Sequence, residues 1–194
     1  MDVVGILLSA GHSRRFGAKN KLMQRLPDGS RLALSSAQHL LQALPVCIGV
    51  VRPQDVELQS ELTAAGLQLA VCTEQDLEMA ASLVTGVRQA CVLYPQARGY
   101  VIALADMPYI QAQSIVEVAK RINAGHGIVV PAFRGKRGHP VGFSAMFTAE
   151  LLELKGDSGA RALIDKHQAE LELFECNDPG ILMDIDMPQD LLNH

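Results

Sequence analysis

The stretch GILLSAGHSRRFGAKNKL, residues 5–22, decides how the rest of the chain is interpreted. It begins as an apolar run typical of a strand buried on both faces, and it leads directly into a glycine-rich, basic segment. Gly11 and Gly17 allow the backbone to turn tightly and to bring its N–H groups close to an anion. Arg15 and Lys21 could then neutralise phosphate oxygens. The stretch predicts either a phosphate-binding turn after the first strand or a solvated turn with surface charges.

The same succession of an apolar run and a helical stretch repeats along the chain. Further strands are predicted at residues 46–51, 67–72, 99–108 and 127–133, with helices at 30–44, 54–66, 80–94 and 111–125. Beyond these, helices are predicted at 145–155 and 159–168 and a strand at 170–177. Alternating strands and helices predict a doubly wound α/β fold with a parallel sheet, formed as a single domain over residues 1–194.

Ligand sites in such sheets lie at the carboxyl ends of the strands, which places the opening loop and the segment ADMP on the same rim. Asp106, at the end of the fourth strand, is either a Mg²⁺ ligand or the N-cap of the next helix. In LMDIDMPQD, alternation along a strand would point Asp184 and Asp186 to one side, and Asp190 would cap or flank the last helix.

A second basic cluster lies in RGKRGHPVGF, residues 134–143. Its glycines predict a flexible loop, which is either an exposed charged surface or a clamp on a second anionic substrate.

Composition excludes several classes of function. The 194 residues carry a net charge of -4 with 48% hydrophobic and 20% charged residues, an ordinary globular composition that argues against a nucleic-acid binder. Four scattered cysteines indicate free thiols and a reducing compartment, and no apolar run has the length of a membrane span, so we expect a cytoplasmic protein. The histidines lack metal-ligand spacing, and no acyl-transfer motif is present.

Four motifs together carry a family resemblance. LLSAGHSRRFGAKNKL resembles the signature of the molybdopterin nucleotidyltransferases, with Phe16 in place of the usual methionine and one extra residue before Lys21. The family's DMP, GHP and DIDTPED motifs are matched in order by residues 106–108, 138–140 and 184–190, the last with Met187 and Gln189 substituted.

The resemblance implies a Rossmann-like, mostly parallel nucleotidyltransferase sheet. Arg15, Lys21 and Asp106 would be catalytic, Asp106 and Asp186 would bind Mg²⁺, and the pterin substrate would face Gly138, His139 and Pro140. The implied nucleotide-binding residues are Leu8, Ser9, Ala10, Gly11, Ser13, Arg15, Gly17, Lys21 and Ser82.

Ser9-Ala10-Gly11 resembles the cytidylyltransferase branch, and the methyl group of Ala10 would narrow the space beside the base. The resemblance therefore implies transfer of CMP from CTP to molybdopterin or the molybdenum cofactor, with a recipient molybdoenzyme or its chaperone as a further partner. Glu78 and Ala81 depart from the branch's G-M-x-S-S-L segment, in which Ser82 is retained. A guanylyltransferase, a sugar- or alditol-phosphate nucleotidyltransferase and a non-catalytic cofactor carrier or chaperone remain alternatives.

Overall fold

The computed structural model describes residues 3–11, 20–73, 79–156 and 159–192. The strands in these ranges are β1 (Val4–Leu8), β2 (Cys47–Val51), β3 (Gln68–Val71), β4 (Gly99–Leu104), β5 (Ile128–Phe133), β6 (Lys136–Arg137), β7 (Val141–Ser144) and β8 (Leu171–Glu175). The helices are α1 (Leu32–Ala43), α2 (Val56–Ala65), α3 (Met79–Leu93), α4 (Ala112–Asn123), α5 (Thr148–Leu152) and α6 (Arg161–Lys166). None of the described helices combines the length and apolar character needed to cross a membrane.

All eight strands form one mixed sheet in the order β3-β2-β1-β4-β7-β5-β6, with β8 paired to β5. The pairs β1–β2, β2–β3, β1–β4 and β5–β8 are parallel, whereas β7 pairs antiparallel with both β4 and β5. The prediction of a doubly wound, mostly parallel α/β sheet is therefore confirmed.

Helices cover both faces of the sheet, which explains why β1 is apolar along its whole length. Leu7 faces a core layer that includes Leu40, from α1, and Ile115, from α4. The preceding residue, Ile6, faces the opposite layer, which includes Leu83, from α3. This two-sided burial fixes the register of β1 in the centre of the sheet.

The chain order changes direction between β1 and β4. Successive strands run outward from β1 through β2 to β3, and the chain then returns to place β4 on the other side of β1. Leu8 pairs with Leu104, and the Leu8 carbonyl accepts a hydrogen bond from the Ala105 N–H at 3.1 Å. The glycine-rich loop and the segment that begins at Asp106 therefore start side by side, at a position where α/β sheets bind ligands.

Two local predictions are wrong. The predicted flexible loop at residues 134–143 contains β6 and the start of β7, a strand that separates β4 from β5. Residues 183–186 form no strand, so alternation does not orient Asp184 and Asp186; the segment is held by contacts to other parts of the chain.

Candidate active site

A lysine and two carboxylates meet beside the carboxyl end of β4. The Nζ of Lys21 donates to Asp106 Oδ2 at 2.8 Å and to Asp186 Oδ1 at 3.2 Å. The Lys21 side chain is 10% exposed, and those of Asp106 and Asp186 are 27% and 43% exposed. Three residues from three separate sequence motifs therefore form one ionic centre at the rim.

Opposing effects act on the pKa of Lys21. Burial would lower it, but the negative charge of Asp106 and the hydrogen bonds to Asp106 and Asp186 outweigh burial, so the pKa lies above its ordinary value of 10.5. Lys21 is therefore a fixed cation at neutral pH.

The two carboxylates fit a divalent cation that is shared with a phosphate ligand. Their oxygens already converge on one ammonium group, and Mg²⁺ is commonly held by one or two carboxylates together with water and substrate phosphates. Among the described residues no group of three or more His, Cys, Asp or Glu side chains could hold a metal by itself. Asp106 and Asp186 could therefore supply two oxygen ligands to a divalent cation.

The backbone holds the second carboxylate in place. The Ile185 N–H donates to the Asp106 carbonyl at 2.9 Å, which ties the two acidic segments together. Asp190, predicted to cap or flank the last helix, lies within the 3₁₀ turn Pro188–Leu192, and its Oδ2 accepts from the N–H groups of Asp186 at 2.9 Å and Met187 at 2.7 Å. Asp106 itself is not the N-cap of α4, because Gln111 occupies that position.

Asp178 anchors the same C-terminal segment, and sequence reasoning missed it. Its side chain accepts hydrogen bonds from the Gln111 N–H at 2.9 Å, the Ser114 hydroxyl at 2.7 Å and the Gly180 N–H at 3.0 Å. Asp178 is only 2% exposed. The carboxylate thus joins the start of α4 to the segment that leads to Asp186.

Gly138, His139 and Pro140 pack against this segment. A Cβ on Gly138 would lie 2.4 Å from the Ile181 carbonyl oxygen, so only glycine fits at that position. The His139 N–H donates to the same carbonyl at 2.9 Å. Pro140 is buried and follows a cis peptide bond.

The imidazole of His139 is a neutral polar group close to the carboxylates. Burial lowers its pKa below 6.5, and the charges of Asp106 and Asp184 only partly oppose that effect. Among the described residues, the buried ring Nδ1 has no hydrogen-bond partner. His139 therefore brings an unprotonated ring close to the carboxylates.

The start of the glycine-rich loop is packed into the fold. Ser9 is buried, and its hydroxyl donates to the Val50 carbonyl at 2.6 Å. Ala10 is 1% exposed and lies in a core layer, so its methyl group presents no free surface to a base in this conformation. Gly11 is exposed, and no atom of the described residues lies within 4 Å of an added Cβ. Ser13, Arg15 and Gly17 lie outside the described residues.

Ser82 lies on α3. Among the described residues, it makes no hydrogen bond with Lys21, Asp106 or Asp186. It is 5% exposed, and the Cys72 thiol lies 3.9 Å from its hydroxyl. Glu78, the acidic departure from the family segment, lies outside the described residues.

Sequence reasoning also missed a polar group beside the loop. Arg52 follows β2 directly and is 8% exposed, and its Nε donates to the Ala10 carbonyl at 2.6 Å. Asp55 accepts a hydrogen bond from Asn20 at 3.1 Å. The signal for Arg52 was available, because a charged residue directly after a buried parallel strand must lie on the ligand-binding rim.

A domain match and a sequence relative both relate this chain to known proteins. Residues 5–171 match the MobA-like NTP transferase domain. The purine catabolism protein PucB of Bacillus subtilis is 31% identical over 196 residues, which cover 97% of this chain and 93% of PucB.

Solved structures share the fold. Rv0371c of Mycobacterium tuberculosis superposes with a TM-score of 0.83 at 22% identity over 100% of this chain and 98% of its own. Another structure of that protein contains manganese. The molybdopterin-guanine dinucleotide biosynthesis protein A of Archaeoglobus fulgidus gives a TM-score of 0.66 at 16% identity, over 98% of this chain and 96% of its own. The sheet, the sequence relative and the domain match agree: this chain belongs to the MobA-like NTP transferase family.

Proposed function

We propose that the protein is a Mg²⁺-dependent cytidylyltransferase that transfers CMP from CTP to the terminal phosphate of molybdopterin or the molybdenum cofactor. A phosphate oxygen of the acceptor forms a bond to the α-phosphorus of CTP. The bond from that phosphorus to the bridging oxygen of the β-phosphate breaks, and pyrophosphate leaves.

The observation that carries the proposal is the ionic centre formed by Lys21, Asp106 and Asp186 beside the carboxyl end of β4. Nucleotidyl transfer needs positioning and charge neutralisation more than covalent chemistry, and these residues supply both kinds of charge. Asp106 and Asp186 would hold Mg²⁺, which would supply positive charge to neutralise the phosphates. Lys21 and Arg15 stabilise the charge that develops on the leaving pyrophosphate.

The proposal also covers the acceptor phosphate, the pterin contact and the use of the product. The acceptor phosphate is already ionised at neutral pH, so no general base is required. We propose that His139, whose pKa is lowered below its ordinary value by burial, contributes to binding of the pterin. Because PucB is named for purine catabolism, we propose that the product serves an enzyme of purine breakdown. The manganese in Rv0371c supports a divalent metal in this family's fold.

The experiment is incubation of the purified protein with molybdopterin, Mg²⁺ and, separately, CTP, GTP or ATP. Pyrophosphate release and product mass are the readouts. The proposal expects turnover with CTP, and a loss of at least about a hundredfold in Asp106→Asn, the size expected when charge stabilisation is removed. Glu57→Gln, an exposed acid on α2, is the control. Turnover with GTP in place of CTP would contradict the substrate assignment, as would turnover only in a parallel reaction with a sugar or alditol phosphate as the acceptor. Binding of molybdopterin without release of pyrophosphate would identify a carrier.

A further inference from the structure

Asp55 occupies a helix N-cap but does not cap the helix. It precedes α2, where an aspartate side chain usually accepts a hydrogen bond from the first-turn N–H groups. No such bond forms, and the carboxylate instead accepts from the Asn20 side-chain amide at 3.1 Å. A residue that forgoes its local role for a contact 35 positions away in the sequence has a tertiary function.

The contact joins two polar groups that flank the glycine-rich loop. At one end, Arg52 binds the Ala10 carbonyl at 2.6 Å. Burial raises the pKa of Asp55 above its ordinary value, and the positive charge of Arg52 only partly opposes that effect. At the other end, Asp55 binds Asn20. The side-chain amide of Gln59 donates to the Arg52 carbonyl at 2.8 Å, which holds the connecting turn. Arg52, Asp55 and Asn20 therefore form a polar bridge from residue 10 to residue 20.

Asn20 passes this constraint to Lys21. Its side-chain oxygen accepts from the Leu22 N–H at 3.0 Å, and its carbonyl accepts from the Met23 N–H at 3.2 Å. These bonds cap the 3₁₀ turn Lys21–Met23, in which Leu22 is buried. The direction in which Lys21 leaves the backbone is therefore set by the same amide that binds Asp55.

We propose that Arg52, Asp55 and Asn20 are positioning residues that hold the Lys21 ammonium between Asp106 and Asp186. Their importance for turnover rests on the proposed nucleotidyl transfer, whereas their effect on Lys21 can be measured without any nucleotide. None of the three needs to touch the substrate.

The test exchanges the two partners of the Asp55–Asn20 hydrogen bond. Asn20→Asp keeps an acceptor for the Leu22 N–H but opposes Asp55 with a like charge. Asp55→Asn keeps an acceptor for Asn20 but removes the charge that faces Arg52. The double variant restores a donor, a carboxylate and one negative charge in reversed positions. Glu57→Gln, at the exposed start of α2, is the matched control for loss of one charge.

The first readout is trace acetylation followed by peptide mass spectrometry, which compares Lys21 with the exposed Lys120 in the same sample. In the unaltered protein Lys21 should react more slowly than Lys120. We expect Asn20→Asp to raise the relative rate at Lys21 at least about fivefold, from the loss of a hydrogen bond to a charged group. Asp55→Asn should raise it less, and the double variant should return it to within about twofold of the original. Thermal unfolding of each variant confirms that the fold is retained.

An unchanged Lys21 rate in Asn20→Asp would overturn the proposal, as would a double variant that reacts like Asn20→Asp. The second readout is the KM and kcat for CTP. The KM should rise in Asn20→Asp and recover in the double variant. Absence of transfer by the unaltered protein would refute the proposed function, and the acetylation rates would still decide the positioning role.

Discussion

Replacement of Lys21 by methionine should strengthen metal binding in the absence of nucleotide. The Lys21 ammonium lies between Asp106 and Asp186, at 2.8 and 3.2 Å from their oxygens. A divalent cation that uses both carboxylates must displace that ammonium. Methionine keeps most of the side-chain volume and removes the competing charge.

The cost of that displacement can be worked from the exposure of each partner. The bond to Asp106 joins two largely buried groups and contributes about 1.5–3 kcal/mol, as is usual for a charged hydrogen bond. Asp186 is 43% exposed, so its pair contributes about 0–1 kcal/mol. The sum of about 1.5–4 kcal/mol corresponds to a gain of about 10- to 900-fold in metal affinity.

The assay is a titration of nucleotide-free protein with Mn²⁺, with free Mn²⁺ followed by electron paramagnetic resonance. Lys120→Met, at the exposed end of α4, should bind Mn²⁺ like the unaltered protein. Lys21→Met should bind Mn²⁺ more tightly. It should also turn over more slowly, because the Lys21 ammonium is proposed to stabilise the leaving pyrophosphate. Equal or weaker Mn²⁺ binding by Lys21→Met would refute the reasoning, since the ammonium and the metal would then not share a site.

Two further predictions concern the packing that supports the site. In a urea titration, Gly138→Ala should lower the free energy of unfolding by at least about 1–3 kcal/mol, because its Cβ would clash with the Ile181 carbonyl oxygen. Gly11→Ala is the control: no atom of the described residues lies within 4 Å of its Cβ, so stability should be nearly unchanged. Asp178→Ala should cost at least about 3 kcal/mol, because it leaves two backbone N–H groups and the Ser114 hydroxyl without their acceptor. A loss of unfolding free energy of less than half that size, in the same urea titration, would show that water replaces the carboxylate.

Periodicity was sufficient to predict the parallel part of the sheet, because β1, β2 and β4 are apolar runs buried on both faces. It failed at β7, whose central Gly142 carries no pattern. That glycine is required by close packing, since a Cβ would lie 2.7 Å from a Val118 methyl carbon and 2.8 Å from a carbon of Ile122. A strand that has a glycine where α4 packs closely against it lacks the apolar pattern of a strand, so its sequence resembles that of a loop.

The charged residues of the site were predictable to a different extent. Lys21 and Asp106 follow β1 and β4, which share a rim, so the topology places both residues at the same edge of the sheet. Asp186 was singled out from its motif, but its position depends on backbone bonds to Asp106 and Asp190 that no periodicity encodes. Asp55 was hidden for a physical reason: aspartate before a helix predicts a cap, and only the tertiary structure reveals that its carboxylate binds Asn20 instead.

The charge at the centre bears on how an acidic protein would bind the proposed triphosphate. Lys21, Asp106 and Asp186 together carry one negative charge, which by itself would repel a nucleotide. A divalent cation held by Asp106 and Asp186 would change that sum to one positive charge and would free Lys21 to face the phosphates. Metal and nucleotide should therefore bind with positive coupling, and linkage requires each to raise the affinity of the other by the same factor. On this account the two carboxylates hold Lys21 in place until the metal arrives, and they hold the metal afterwards.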